Sequence, residues 1–171
     1  MIVFINNDTA YRHHPNRYPE STMLKQLQRL TEDVGGRYAL IDQWLQARKH
    51  LLLAYYHLLS IQTGQTPAAQ TLDGFCHHLV DYLSVGHFHV YERMLQESAM
   101  LNERKLTLAS HFDMALRSNT QQIMDIYDSH LAFFIEPADS LAFRQALSGV
   151  GEALAMRFTL ENSLIRLMFD H

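Results

Sequence analysis

Cysteine is nearly absent from this chain. Cys76 stands alone among 171 residues, so no internal disulfide can form, and a reducing compartment fits. Proline and glycine are also scarce. There are four prolines and seven glycines, with Pro15 and Pro19 both inside the first twenty residues, so most of the chain is free to run in helices. Charge of either sign is modest: 19% charged against 47% hydrophobic residues fits a folded globule and not a chain disordered throughout. A formal net charge of -4 excludes a general nucleic-acid binder. No apolar run approaches the ~20 residues that span a bilayer, so no membrane role is expected. The opening "MIVFINNDTAYRHHPNRYPEST" lacks the basic start and long apolar core of a secretory signal. The expected location is the cytoplasm.

Catalytic signatures are missing as well. There is no G-x-S-x-G, and "GQTPAAQT" lacks the G-K-[ST] of a phosphate loop. Cys76 and His77 are consecutive, so on a helix they point about 100° apart and make no dyad. Cys76 reads as a small buried hydrophobe. No enzyme activity is expected.

What is present is helical period. A chain of this length fits one domain, able to bury about 70% of its unfolded surface. Residues 1–22 show no periodicity and read as a disordered extension, or as residues ahead of a genuine start at Met23. Residues 23–171 read as a single helical domain. Leu24, Leu27, Leu30 and Val34 mark a short first helix, stopped by Gly35-Gly36. A second runs from about Tyr38 to Leu59, with Ile41, Trp44, Leu45, Leu52, Tyr55, Tyr56 and Leu59 on its stripe. Thr71 or Asp73 could cap a third, which carries Phe75, Leu79, Tyr82 and Leu83 and continues past a possible kink at Gly86 to Leu95. A fourth spans about Glu103 to Phe134, with Leu108, Phe112, Leu116, Ile123, Ile126 and Tyr127 inward. "EPADS" ends it, and a last helix carries Leu147, Val150, Leu154, Phe158, Ile165 and Met168. Gly149 and Gly151 inside that helix point to close helix contact. The fold class is all-α: an antiparallel four-helix bundle of long helices with a short extra N-terminal helix.

Polar residues interrupt the stripes. Arg48, Asn119 and Glu161 each fall between core positions, and the third helix carries a row of Asp81, Ser84, His87 and Tyr91 within roughly 120° of one face. An unpaired buried charge costs several kcal/mol, so these groups must be paired, solvated in a groove or used by a ligand. Three readings stay open. The first is an interhelical network, with Asp81 on Arg48 and Tyr91 on Glu161. The second is a groove that takes a basic partner helix through Asp81 and Glu92, with Phe88 as apolar anchor. The third is a metal site. His87-Phe88 and Glu92 resemble part of the hemerythrin pattern, which makes a hemerythrin-like metal-binding bundle the alternative to a binding protein. Tyr91 replaces that family's first glutamate, its spaced histidine pairs are missing, and no Glu-x-x-His occurs anywhere in the chain. No metal ligands and no cofactor are therefore assigned. Charge favours the groove: residues 23–60 carry a net +2 and residues 61–103 a net -4, which would steer a basic partner to the second segment.

Four stretches resemble the regulator of sigma D (Rsd/AlgQ) family of anti-sigma factors. They are "LIDQWLQARKHLLLAYYHLL" (40–59), "FCHHLVDYLSVGHFHVYERML" (75–95), "NTQQIMDIYD" (119–128) and "GEALAMRFTLENSLI" (151–165). The resemblance starts at Met23, runs nearly to the C-terminus and is weak over 100–116. It implies a bacterial protein that binds domain 4 of the primary (housekeeping) sigma factor of RNA polymerase. That domain is the basic helix-turn-helix that reads the -35 promoter element and touches the polymerase flap. Holding it would sequester the sigma factor and favour alternative ones, with no direct contact to nucleic acid and one monomer per sigma. Carried over by motif, the partner-binding residues are Asp81, Ser84, Phe88 and Tyr91, joined by Glu92 and flanked by Trp44 and Arg48. Asp81 would receive an arginine of domain 4.

Overall fold

The computed structural model describes residues 20–61, 69–93, 96, 102–132 and 140–169. Every element among them is helical: α1 (Glu20–Val34), α2 (Ala39–Leu59), α3 (Ala69–Val85), α4 (Glu103–Ile126) and α5 (Ser140–Phe169). Two π-helical turns extend α3 and α4, over Gly86–Tyr91 and Tyr127–Leu131. No helix among the described residues is long and apolar enough to cross a membrane.

The helix stops follow from local chemistry. Gly36 takes a positive φ of 76°, the left-handed conformation that closes α1, and its N–H donates to Asp42 Oδ1 at 2.9 Å. Asp42 lies in the first turn of α2, where a carboxylate also opposes the positive end of the helix dipole. Asn102 caps α4 by accepting from the Lys105 N–H at 2.8 Å. The third helix starts earlier than Thr71 or Asp73 would have it: Ala69 already belongs to it, so neither residue is its cap. The first helix likewise starts at Glu20, ahead of Leu24. Residues 136–139 of "EPADS" and the ends expected at Leu95 and Phe134 lie outside the described residues, and Ser140 already belongs to α5.

Contacts between helices run in opposing order. On α2 and α3, Trp44 meets Tyr82, His50 meets His78, and Tyr55 meets Phe75. On α4 and α5, Asn119 meets Arg157 and Ile126 meets Gly149. On α2 and α5, Arg48 meets Glu161 and Tyr55 donates to the Leu147 carbonyl at 3.1 Å. α1 lies against α2 and α5. The glycines of α5 mark close approach. A Cβ at Gly151 would collide with the Tyr55 hydroxyl, and one at Gly149 would come within 3.3 Å of Ile126.

The core holds the expected stripes, including Trp44, Leu52, Phe75, Leu79, Leu116, Ile123, Leu154 and Ile165. Leu108 departs from its stripe. It is exposed, and Ala109 is buried in its place, because the inward line of α4 runs by sevens through Ala109, Leu116 and Ile123.

Candidate partner-binding site

Behind the third helix lies a buried polar cluster, drawn from every long helix. Arg48 of α2 donates through Nη2 to Glu161 Oε2 at 2.7 Å, through Nη1 to Asn162 Oδ1 at 2.8 Å and through Nε to the Tyr82 hydroxyl at 3.2 Å. Tyr82 also donates to Glu161 Oε2. Tyr91, at the end of the first π-helical turn, donates to Glu161 Oε1 at 2.6 Å. Arg157 lies one turn before Glu161, with its Nε 2.9 Å from Oε1 as an ion-pair contact. Its Nη2 donates to the Tyr91 hydroxyl at 2.8 Å, and its Nη1 donates to Asn119 Oδ1 at 3.2 Å and Thr120 Oγ1 at 2.9 Å. Asn119 completes the chain by donating to the Ala153 carbonyl at 2.9 Å.

Aromatic faces wall the cluster. The Arg48 guanidinium lies 4.8 Å from the Phe158 ring centre and 5.3 Å from that of Trp44. Trp44 stacks on Tyr82 and meets Tyr91 edge-on. Its Nε1 has no acceptor among the described residues.

The phenols and guanidinium groups of the cluster are shifted from their ordinary values. Burial pushes the Tyr82 phenol well above its usual value, the two arginines partly oppose this, and the Glu161 charge adds to it. Tyr91 moves the same way, first by burial and then by Glu161. Burial alone would lower Arg48 and Arg157, yet both are held above the ordinary guanidinium value by the negative charge and hydrogen bonds around them. Two buried cations thus share one buried anion.

The expected Asp81–Arg48 pair does not form. Asp81 precedes core-facing Tyr82 by one residue, so it points about 100° away and is exposed. Arg48 faces inward and finds Glu161 instead. Asp81 makes a surface contact with His77 Nε2 at 3.2 Å, of a kind that contributes little. The expected Tyr91–Glu161 contact is present.

The residues expected to bind a partner therefore divide. Asp81, Ser84 and Glu92 are exposed, whereas Trp44, Arg48 and Tyr91 are buried within the cluster. The side chains of His87 and Phe88 lie outside the described residues. The π-helical turn explains why Tyr91 leaves its row. In an unbroken α-helix it would come seven residues after Ser84, within about 20° of the same face. Hydrogen bonding from i to i+5 inserts one extra residue and rotates the downstream residues by about 100°, which takes Tyr91 inward.

Arg157 and Asn162 were not singled out by the sequence pattern. Arg157 had a signal, since Val150, Leu154, Arg157, Glu161 and Leu164 keep a four-three inward alternation. Asn162 had none. Among the described residues, no group of three or more His, Cys, Asp or Glu side chains is placed to hold a metal ion.

The all-helical scaffold thus carries exposed Asp81, Ser84 and Glu92 in front of a buried polar cluster. A family model says what such a chain belongs to. Residues 23–169 match the family described as "Regulator of RNA polymerase sigma(70) subunit, Rsd/AlgQ", and the chain belongs to that family. Its relatives include the regulator of sigma D of Pectobacterium carotovorum, 58% identical over 153 residues that cover 87% of this chain and all of the relative. The regulator of sigma D of Sodalis glossinidius is 53% identical over 148 residues, covering 84% of this chain and 97% of the relative. That of Salmonella arizonae is 49% identical over 152 residues, covering 86% and 93%.

Proposed function

We propose that this protein is an anti-sigma factor that binds domain 4 of the primary sigma factor and withholds it from RNA polymerase. Family membership makes it a sigma(70) regulator, and one observation carries the finer reading. Asp81, which the resemblance pairs with a sigma arginine, is exposed, while Arg48, its potential internal partner, is satisfied by Glu161. Asp81 is thus available to an external cation. Ser84 shares its exposed side of α3, and Glu92 adds a carboxylate one π-helical turn on. By the resemblance, Phe88 supplies the apolar anchor. A guanidinium can bridge both carboxylate oxygens of Asp81, and the net -4 of residues 61–103 draws a basic helix-turn-helix to this side.

Trp44, Arg48 and Tyr91 take part from behind, by fixing the wall on which these side chains stand. The opposing order of interhelical contacts fits an antiparallel four-helix bundle with α1 laid against it. Binding acts by occlusion, in the cytoplasm, with one monomer per sigma factor, no cofactor, no chemical step and no direct contact to nucleic acid. Mixing the purified chain with the primary sigma factor at micromolar concentration and moderate salt should shift both to a common, earlier gel-filtration peak. Separate elution at both low and moderate salt would overturn the proposal.

A further inference from the structure

The π-helical turn Gly86–Tyr91 sits where the proposed partner face meets the buried cluster, and its two ends are tied to different things. At one end a Cβ on Gly86 would come within 3.1 Å of the Tyr91 hydroxyl and 3.3 Å of Trp44 Nε1, so only glycine fits without displacing them. At the other end Tyr91, 2% exposed, is held by Glu161 and Arg157. The same residues have a second register open to them. In an unbroken α-helix Val90, already buried here, would stay inward in line with Leu83, and Tyr91 would join Ser84 outside. That shift would leave Glu161 Oε1 without its phenol donor and Arg157 Nη2 without its acceptor. Valine has no group to replace either one.

We propose that Tyr91 is a positioning residue for the partner face: its buried hydroxyl holds Gly86–Tyr91 in the π register, and that register sets where Glu92 and the residues after it stand relative to Asp81 and Ser84. The proposal rests on the reading of α3 as that face. Each part of the turn serves it. Gly86 makes room for the phenol, Trp44 packs edge-on at 5.7 Å, and Glu161 with Arg157 gives a donor and an acceptor that only a hydroxyl satisfies together. A π-helical turn is rare in ordinary helices and concentrates at functional sites.

The test uses the whole chain in two measurements. Nitroxide labels at Val80→Cys and Gln96→Cys, in a Cys76→Ser background, report the rotation across the turn as an interlabel distance. Unlabelled variants are titrated with the primary sigma factor at a temperature where circular dichroism shows them folded. Tyr91→Phe should shift or broaden the distance distribution and weaken sigma binding at least tenfold. Gly86→Ala, which crowds the same phenol, should do the same and carries the test if Tyr91→Phe does not fold. Tyr55→Phe removes a buried hydroxyl bond to α5 away from the cluster. It should lower the melting temperature while leaving distance and affinity within twofold. An unchanged distance in both Tyr91→Phe and Gly86→Ala, or an affinity loss that Tyr55→Phe reproduces, overturns the inference. Failure of the wild-type chain to bind sigma would instead strike the functional reading, and the label distance would still decide the register.

Discussion

Glu161 is the residue on which the interior depends. One carboxylate receives both phenols and pairs with both buried arginines. Removing one partner from a buried ion pair typically costs about 3–5 kcal/mol, because the other charge stays buried. For Glu161→Gln that translates into a melting temperature lower by roughly 6–20 °C, given about 2–4 °C per kcal/mol in a chain of this size. A loss under about 2 °C in a thermal melt would show the charge to be dispensable. Tyr82 and Tyr91 predict an alkaline limit. Both stay protonated in the fold at a pH where the unfolded phenols ionise near 10, so the unfolded state releases protons first. Stability from these groups is complete below pH 10 and falls as pH rises beyond it. Cys76, pushed by burial and then by Asp73 up to about 11, adds to the fall from pH 9 upward. Melting temperatures measured from pH 8 to 11 should decline with a steepening slope, and Cys76→Ala should remove the earliest part. Arg48, Asn119 and Glu161 could be found from their position among apolar neighbours. Their pairing could not, since phase tells that a side chain points inward but not which helix it meets there.

Whole helices were more legible than their ends. The Gly35-Gly36 stop and the α2 span emerge from pattern because they depend on neighbours in sequence. Gly36 at φ 76° gives a direct check. Gly36→Ala forces a Cβ into the left-handed region, at about 1–2 kcal/mol, and should lower the melting temperature by roughly 2–8 °C. Ala at the neighbouring exposed residue Arg37 should do much less. The π-helical turn was not legible for a physical reason. Periodicity assumes a constant 100° per residue, whereas the i to i+5 register here is held by Glu161 and Arg157, some seventy positions downstream. Constant phase accordingly puts Tyr91 on one row with Asp81 and Ser84, whereas the structure buries Tyr91 and leaves the other two exposed. Leu108 fails similarly, since Ala109 rather than the larger leucine fills the inward position.

At the scale of the molecule, inside and outside divide the electrostatic work. Among the described residues the buried charges are two cations and one anion that pair with one another, and the carboxylates of α3 and its extension face outward. A partner attracted by such a surface should bind more weakly as salt rises, mainly through slower association. Raising salt from 50 to 500 mM should therefore lower the association rate for the primary sigma factor severalfold. A salt-independent rate would point to an apolar interface. The most direct test of the central claim compares wild type with Asp81→Ala for affinity to the primary sigma factor and for thermal stability. A contact residue loses at least about 2 kcal/mol of binding, roughly thirtyfold, with the melting temperature held within about 2 °C. Equal affinities for the two chains would contradict the assignment of the α3 face to sigma.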